Sequence, residues 1–362
     1  MDQAGRLPVD QGPAIAVGAE GEGPTRPHDS QSTTESRDAS MKEQKESITF
    51  RVCGVPVDWD RERLQSFLAN QGITDIEIES LALEANTSSQ TATLSFQTVP
   101  SKLRNNSSWS ILLSKAPDTE SIGKEYLTFD KAFLGMTTLF APPLKDHQVE
   151  TCFRVIQRER GSHMWLRDSL PYGLTSEIDK RPMARIMVFG YESTVAGSQS
   201  IQNLEDIATK FHRSLNTLAN ATTTRPIILI GHSLGGLIIK QILISLSRSD
   251  FEEDKKLIRA IYGVVFFRTP HNGMDIESLI PMVGDGPNRS LIESLDHINS
   301  HILSIQQRDF HKALGIEGES EVFCFYETLK SPTAKKDESG VWKMNGPTTV
   351  LVTKSSATYC RP

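Results

Sequence analysis

IILIGHSLGG, residues 227–236, decides the fold: four apolar residues run into Gly231, and Ser233 is followed by Leu234 and a Gly-Gly pair. The apolar run follows Pro226 and predicts a buried strand, while LGGLIIKQILISLSRS after it predicts a helix. Ser233 therefore stands on a sharp turn from strand to helix. Glycines suit this turn, because a side chain at Gly231 or Gly235 would clash with the neighbouring strand and helix.

A G-x-S-x-G turn between a strand and a helix is the arrangement called a nucleophile elbow. The serine has a strained backbone conformation there, and its hydroxyl lies above the sheet at the positive end of the helix. The backbone N–H of Leu234 is then placed to donate to a developing oxyanion. A phosphate-binding loop is disfavoured, because no Gly-Lys-Ser/Thr follows the turn. The alternative is a glycine-rich turn that carries an incidental serine.

The text around the elbow alternates between apolar runs and amphipathic stretches. ARIMVFGYES (184–193), AIYGVVFFRTPH (260–271), EVFCFYET (321–328) and TTVLVTKSSA (348–357) predict strands, and ETCFRVI (150–156) is a further candidate strand. Helices are predicted over 200–220 and roughly 288–314. Strands that are apolar on both faces and alternate with helices predict an α/β fold whose mostly parallel sheet is covered by helices on both faces.

These motifs, from about residue 163 to 358, resemble the lipase-like serine hydrolases of the α/β-hydrolase fold. The chain is similar in particular to the serine-active-site-containing protein family and to related fungal hydrolase domains. The resemblance rests on WLRD (165–168) and on the elbow, together with GVVFFRTPHNGMD (263–275), VFCFYET and VLVTKSSA. It implies ester hydrolysis or acyl transfer on lipid-like substrates, with Ser233 as nucleophile. The family has glycine where this chain has Arg268.

The resemblance also implies an acid and a histidine for Ser233. Glu327, at the end of a later strand, occupies the position of the acid that orients the histidine. The histidine of this fold follows the last strand, yet none of the nine histidines lies beyond Glu327. His271 is the best surrogate base by topology, and His232 is expected to pack under the elbow. The domain is therefore expected to be incomplete at its C-terminus.

A second gap lies before WLRD, where the family has a His-Gly loop that supplies the other oxyanion donor. Residues 157–160 read QRER here, and only the backbone N–H groups of Gly161 and Ser162 are candidate substitutes. Two functions stay open. One is a serine hydrolase of the lipase or esterase type, impaired in this chain. The other is a non-catalytic, hydrolase-like scaffold for recognition or signalling.

The region before the hydrolase-like part divides in two. Residues 1–46 lack aromatic residues and are rich in Gly, Pro and Ser, which predicts a disordered tail. Residues 47–145 predict a small α+β domain of ferredoxin-like type, and residues 148–362 the hydrolase-like domain. TATLSFQT (91–98) lacks the aromatic pair with which RNA-recognition strands stack bases. The small domain is therefore expected to have a structural or protein-interaction role rather than to bind nucleic acid.

Composition bounds the remaining possibilities. The chain has 362 residues and a net charge of −6, which gives no reason to expect nucleic acid or an anionic membrane as partner. Its four cysteines are scattered, so free thiols are expected, with no metal site and no cofactor. No apolar run is long enough for an integral membrane span. The expected location is the cytoplasm, or alternatively the periphery of mitochondria or endoplasmic reticulum.

Overall fold

The computed structural model describes residues 48–104, 106, 108–113, 125–154, 164–219, 224–298, 300–316 and 320–358. The tail predicted for residues 1–46 lies outside these ranges, and so do Gly161 and Ser162. Residues 46–362 form one compact unit. The described strands form a five-stranded sheet, a six-stranded sheet and a separate two-stranded hairpin.

The five-stranded sheet is antiparallel throughout and has the order β2-β3-β1-β5-β4. Its elements are β1 (Ile48–Val55), α1 (Arg61–Asn70), β2 (Ile76–Leu83), β3 (Gln90–Phe96), α2 (Ser101–Arg104), β4 (Ser108–Leu112) and β5 (Tyr126–Asp130). Helix α1 begins where the Asp60 carboxylate accepts the Arg63 N–H at 2.8 Å. Its apolar side packs on one face of the sheet through Leu64 and Leu68, which are fully buried.

The opposite face of this sheet is polar and is also buried. Thr91, Thr93 and Ser95 on β3 are at most 8% exposed. Next to them, Arg51 on β1 donates to Asp130 at 2.8 Å and to Thr137 at 2.9 Å. Thr137 belongs to the next strand of the chain, which is part of the six-stranded sheet. The face with which sheets of this kind stack RNA bases is therefore covered by the rest of the protein.

The six-stranded sheet has the order β11-β10-β9-β7-β8-β6. Strands β7 to β11 are parallel to one another, and only β6 at one edge is antiparallel. Its elements and those that follow are β6 (Gly135–Phe140), β7 (Val149–Arg154), α3 (Trp165–Asp168), α4 (Leu170–Gly173), β8 (Ala184–Gly190), α5 (Leu204–Ala219), β9 (Ile227–His232), α6 (Leu234–Ser247), α7 (Glu252–Ala260), β10 (Ile261–Phe267), α8 (Ile280–Val283), α9 (Arg289–Glu293), α10 (His301–Ile316), β11 (Glu321–Phe325), β12 (Ser331–Lys336), β13 (Trp342–Thr349) and α11 (Lys354–Thr358).

The core of this sheet lies around α6, the helix that follows the elbow. Eleven of its fourteen residues are buried, so it is apolar almost all round, as expected for a central helix. Helix α5 packs against it and stacks Phe211 on Phe189 of β8, with ring centres 4.5 Å apart. The helical cover is incomplete at the edge strand β11, where Phe323 and Phe325 are 54% and 50% exposed.

Several details of the sequence analysis are wrong. Strand β6 was assigned to the small domain but pairs with β8. The helix predicted over 288–314 is broken into α9 and α10. TTVLVTKSSA is not the last strand of the sheet: β13 pairs only with β12, and the second half of the segment lies in helix α11. Its apolar residues Leu351 and Val352 are nevertheless buried, because they pack into the core as a loop.

Two further findings concern the whole described chain. Cys53 and Cys152 are free thiols, as expected, but Cys324 is disulfide-bonded, so the expectation of free thiols is wrong for this residue. Among the helices described above, none combines the length and the apolar character that a membrane crossing requires.

Candidate active site

The elbow lies at the carboxyl end of β9. Ser233 has φ 52° and ψ −127°, a conformation that non-glycine residues rarely adopt and that costs roughly 1–3 kcal/mol. Two hydrogen bonds hold it: the Ser233 N–H donates to the Phe267 carbonyl at 2.9 Å, and the Gly236 N–H donates to the Ser233 carbonyl at 3.0 Å. The strain predicted from G-x-S-x-G is therefore present, and Ser233 is half-buried at the start of α6.

Two glycines make this turn possible. A Cβ on Gly231 would lie 2.6 Å from the Cα of Gly236, and a Cβ on Gly236 would lie 2.0 Å from Oγ1 of Thr269. Real Cβ atoms do not approach other atoms so closely, so both positions require glycine. The requirement for glycine at Gly231 is therefore confirmed, and the one at Gly235 stays a prediction. Gly236 was missed, because the sequence does not show that Thr269 lies beneath the helix.

The predicted oxyanion donor is at the right end of the helix. Leu234 is the first residue of α6, so its N–H has no acceptor within the helix. No described residue accepts a hydrogen bond from it, and none receives one from the Ser233 hydroxyl. This arrangement leaves a donor at the positive end of a fourteen-residue helix.

Glu327 lies just beyond β11, at the same carboxyl end of the parallel strands as Ser233. One of its oxygens, Oε2, accepts from Nε of Arg268 at 2.9 Å and from the Ser331 hydroxyl at 2.8 Å. The carboxylate is thus paired with a cation rather than with a histidine. Its position at a strand end agrees with the sequence analysis, whereas its partner was not foreseen.

Arg268 is the second strained residue at this edge. It directly follows β10, has φ +47°, and donates its backbone N–H to the Phe325 carbonyl at 2.8 Å. Because glycine adopts positive φ at no steric cost, the arginine here is held by its surroundings. The charge of Arg268 also acts on His232, the residue before Ser233. Burial and Arg268 lower the pKa of His232, and Glu327 opposes them by raising it.

The geometry does not support His271 as a surrogate base. The side chain is fully buried, with Nδ1 3.3 Å from Nζ of Lys240 and Nε2 3.9 Å from Sγ of Cys324. Burial, the Lys240 charge and His311 lower the pKa of His271 to about 2, so the ring does not take up a proton near neutral pH. Both ring nitrogens face the core, which is why topology alone misassigned this residue.

The other histidines of the described chain do not complete the site either. His147 contacts Glu150, His212 contacts Asp254, and His311 contacts Gln307. None of the seven histidines in the described ranges makes a hydrogen bond to Ser233. The described residues therefore bring Ser233, the backbone N–H of Leu234 and Glu327 to the same end of the parallel strands, but no described histidine is hydrogen-bonded to Ser233.

Lys240 was not identified in the sequence and is the most unusual charged residue near the elbow. It lies two turns into α6 and is fully buried. Its Nζ contacts Gln307 and His271 and lies 5.1 Å from the ring centre of Phe310, all of them uncharged groups. Burial lowers the pKa of Lys240 to about 7. The only available signal was one lysine within an otherwise apolar helix.

The WLRD motif connects the site to the small sheet. Arg167 is 9% exposed and pairs with Glu79 of β2 and with Asp168 at 2.7 Å. Asp168 also accepts the Met164 N–H at 2.7 Å, which fixes the start of α3. The two residues proposed to replace the glycine loop, Gly161 and Ser162, lie outside the described residues.

Cavities and groups of metal-ligating side chains are the two kinds of feature that could hold a ligand. A cavity of about 500 Å³ lies between the ends of β6 and β8 and the start of α5; Tyr191, Ser200 and Lys210 line it, and Ser233 does not. In the described ranges no group of three or more His, Cys, Asp or Glu side chains is placed to hold a metal ion.

Strand order, strand direction and the elbow together decide the fold. Five parallel strands, one reversed edge strand and a strained serine after the central strand β9 are now established. The fold is that of the α/β-hydrolases. The elbow is the point where this fold holds its nucleophile, with the side chain exposed above the sheet.

Known proteins resemble this chain over only part of its length or at low identity. No protein-family model matches the chain. One curated protein, Protein SERAC1 from Mus musculus, is 32% identical over 95 residues, which are 25% of this chain and 14% of that protein. The match confirms the resemblance to the serine-active-site-containing proteins over a stretch of that length. Because the chain corresponds to a small part of that protein, activity comes only as a proposal.

Solved structures with similar architecture are distant. The lipase BlEst2 of Bacillus licheniformis has 11% identity and a TM-score of 0.31 over 48% of this chain and 64% of its own. Phospholipase PlaB from Legionella pneumophila has 13% identity and a TM-score of 0.32, over 49% and 37%. XC6422 of Xanthomonas campestris, an α/β serine hydrolase without lid, has 12% identity and a TM-score of 0.28, over 64% and 86%. Scores this low carry no argument, and the fold assignment rests on the strand order and the elbow.

Proposed function

We propose that the chain is a serine hydrolase-type protein of the lipase and esterase class, with Ser233 as the nucleophile for acyl-ester hydrolysis or transfer. The observation that carries this proposal is the strained conformation of Ser233 between β9 and α6. A serine on an ordinary turn needs no such strain, whereas a nucleophile elbow requires it. The substrate class is a small or lipid-like ester, and no cofactor is needed for this chemistry.

The roles of the site residues follow from their places. Attack by the Ser233 hydroxyl on an ester carbonyl forms an acyl-serine and releases the alcohol, and water then cleaves the acyl group. The Leu234 N–H stabilises the oxyanion of the tetrahedral intermediate. Glu327 is proposed as the acid that orients a histidine. Because no described residue acts as a base on Ser233, its hydroxyl is expected to keep its proton, and we propose that this chain is impaired as a catalyst.

Labelling by a fluorophosphonate probe tests this proposal. We expect the purified 362-residue chain to react slowly and to hydrolyse p-nitrophenyl esters negligibly, since losing a triad member costs roughly 10⁴-fold or more in rate. The Ser233→Ala variant sets the background for both measurements. Rapid labelling that Ser233→Ala abolishes would contradict the impairment and reveal a base that the described residues do not contain.

A non-catalytic scaffold is the second candidate, favoured by one observation. Arg268 forms an ion pair with Glu327, so the carboxylate proposed to orient a histidine is already paired with a cation. Labelling of Arg268→Gly separates the candidates. If the chain is an impaired hydrolase whose histidine lies outside the described residues, freeing Glu327 to orient that histidine raises the labelling rate of Ser233 above the Ser233→Ala background. A scaffold with no residual base stays at the background.

The small sheet belongs to the same proposal. Its antiparallel order β2-β3-β1-β5-β4, with α1 and α2 on one face, supports a ferredoxin-like domain that ends with β5 and not at residue 145, since β6 pairs with β8. We propose a protein partner for its remaining exposed surface. A cytoplasmic location, or a peripheral one at mitochondria or endoplasmic reticulum, is part of the proposal and is tested by fractionation of cells that express the chain.

A further inference from the structure

The hairpin of β12 and β13 is exposed on both faces. It pairs with neither of the large sheets, and of its fourteen strand residues only Ser331 is buried. Isolated two-stranded hairpins are marginally stable in water, because they lack a partner for either face. An exposed hairpin of this length therefore suggests a surface on which something docks.

The side chains divide the hairpin into two faces. Trp342 lies opposite Lys336, and Met344 lies opposite Ala334, so apolar side chains share one face. Lys336 places its ammonium 5.3 Å from the ring centre of Trp342. At the turn, Val341 is 54% exposed. The hairpin thus presents an apolar edge, with a lysine folded over its aromatic ring.

The other face carries like charges in direct opposition. Lys335 and Lys343 form a cross-strand pair, an arrangement that destabilises a hairpin in water. Asp337 accepts from Lys343 at 2.8 Å, which leaves Lys335 without a described ion pair. Lys330, just before β12, is also exposed and has no described ion pair. The segment 329–344 has four lysines against Asp337 and Glu338, in a chain whose net charge is −6.

The hairpin begins at the candidate site. Ser331, its first residue, donates to Glu327 at 2.8 Å. Leu329, between the two, is 78% exposed. A molecule or surface that binds the start of the hairpin therefore lies near the carboxyl end of the parallel strands, where Ser233 is located.

The geometry points to the β12–β13 hairpin as a docking surface for an anionic lipid surface. Lysines attract acidic headgroups, and exposed Val341 and Leu329 enter the boundary between headgroups and acyl chains. Nucleic acid or an acidic protein would use the lysines but would leave these aliphatic side chains in water. The overall negative charge argued against an anionic membrane, but attraction of this kind acts over about 10 Å and depends on the local lysines.

Cosedimentation of the full chain with vesicles tests this inference. We expect binding to vesicles that mix phosphatidylserine with phosphatidylcholine, weaker binding to phosphatidylcholine alone, and release by salt. Lys330→Gln/Lys335→Gln should weaken binding roughly thirtyfold, since each lysine contributes about a factor of five near an anionic surface. Lys256→Gln/Lys312→Gln, at exposed lysines on α7 and α10, is the matched control.

The apolar contribution has its own control. Val341→Ser should weaken vesicle binding several-fold, whereas Val57→Ser, at a valine with the same 54% exposure in the small sheet's unit, should leave it unchanged. Equal effects of test and control variants overturn the inference, and so does a wild type that ignores anionic vesicles. Lysine-dependent binding of a single-stranded RNA without vesicle binding overturns the lipid assignment. Ser233→Ala should bind vesicles like the wild type, so this test does not depend on catalysis.

Discussion

Ser233 and Arg268 are strained neighbours, and their strain has different origins. Ser233 is forced into φ 52° by the turn between β9 and α6, while Arg268 has φ +47° at a position that glycine would occupy without cost. The strain at Ser233 could be predicted from the sequence, because the glycines around Ser233 indicate a sharp turn. The strain at Arg268 could not, since nothing adjacent to Arg268 indicates that its carboxylate partner arrives from β11, about sixty residues later.

The contact between Gly236 and Thr269 predicts a specific packing defect. Gly236→Ala should destabilise the fold by roughly 1–3 kcal/mol, because the new methyl group meets a fully buried threonine. Adding Thr269→Ala should restore part of the loss, and urea denaturation of the two single variants and the double variant measures the coupling. Gly173→Ala, where a Cβ meets nothing within 4 Å, is the control. Additive effects of the two substitutions would contradict the contact.

Lys240 predicts an unusual dependence of stability on pH. Its pKa is lowered from 10.5 to about 7 in the folded chain, so between these values the unfolded state binds the proton and the folded state does not. Stability therefore falls as pH decreases from about 10 to 7, by an amount on the order of a few kcal/mol, and this group changes it little below 7. Lys240→Met should flatten that slope in urea denaturation between pH 7 and 9.5.

The control for this slope is Lys256→Met, which removes an exposed lysine of α7. It should retain the slope of the wild type. If Lys240→Met and the wild type give the same slope, the amine is charged in the folded state and the uncharged contacts around it do not exclude the proton.

At the scale of elements, periodicity predicted what local sequence can determine. The strands β8, β9, β10 and β11 and the helices α5 and α6 were predicted, since each has an apolar pattern of its own. The strand predicted over 348–357 failed for a physical reason. Leu351 and Val352 are buried as strand residues would be, but the Leu351 carbonyl accepts from Asp275 in a loop. An apolar run predicts that a segment is buried, but the segment's backbone hydrogen-bonding partners determine whether it forms a strand.

Pairing across the chain also decides what Glu79 does. This residue lies on a half-buried strand of the small sheet, and nothing near it in sequence indicates that Arg167 lies beside it. The motif WLRD was recognised from its resemblance to a family, yet its arginine contacts a residue outside the hydrolase-like region. Long-range ion pairs of this kind leave no periodic signal in a sequence.

For the whole molecule, the pair of Glu79 and Arg167 predicts that the two large sheets unfold together. Glu79→Gln should lower the free energy of unfolding by roughly 1–3 kcal/mol, since Arg167 keeps Asp168 but loses a buried carboxylate. Hydrogen exchange followed by mass spectrometry should show reduced protection in β3 and in β9 alike. Glu77→Gln, at an exposed residue of the same strand, should change neither.

Loss of protection confined to β3 would contradict this coupling and make the two sheets separate folding units. The compact unit of residues 46–362 and the buried polar face of β3 both argue for joint unfolding.

Strand β6 has a consequence for how such a protein can be divided or recombined. It completes one sheet by hydrogen bonds with β8 and contacts the other sheet through Thr137, which accepts from Arg51, so both halves of the protein depend on it. A cut near residue 145 would leave β6 attached to the small sheet and would remove an edge strand from the hydrolase-like half. A cut before Gly135 would leave β6 in the hydrolase-like half, but it would uncover the polar face of the small sheet. The N-terminal half is therefore the dependent one, and a gene fusion could exchange it only together with a strand that matches it.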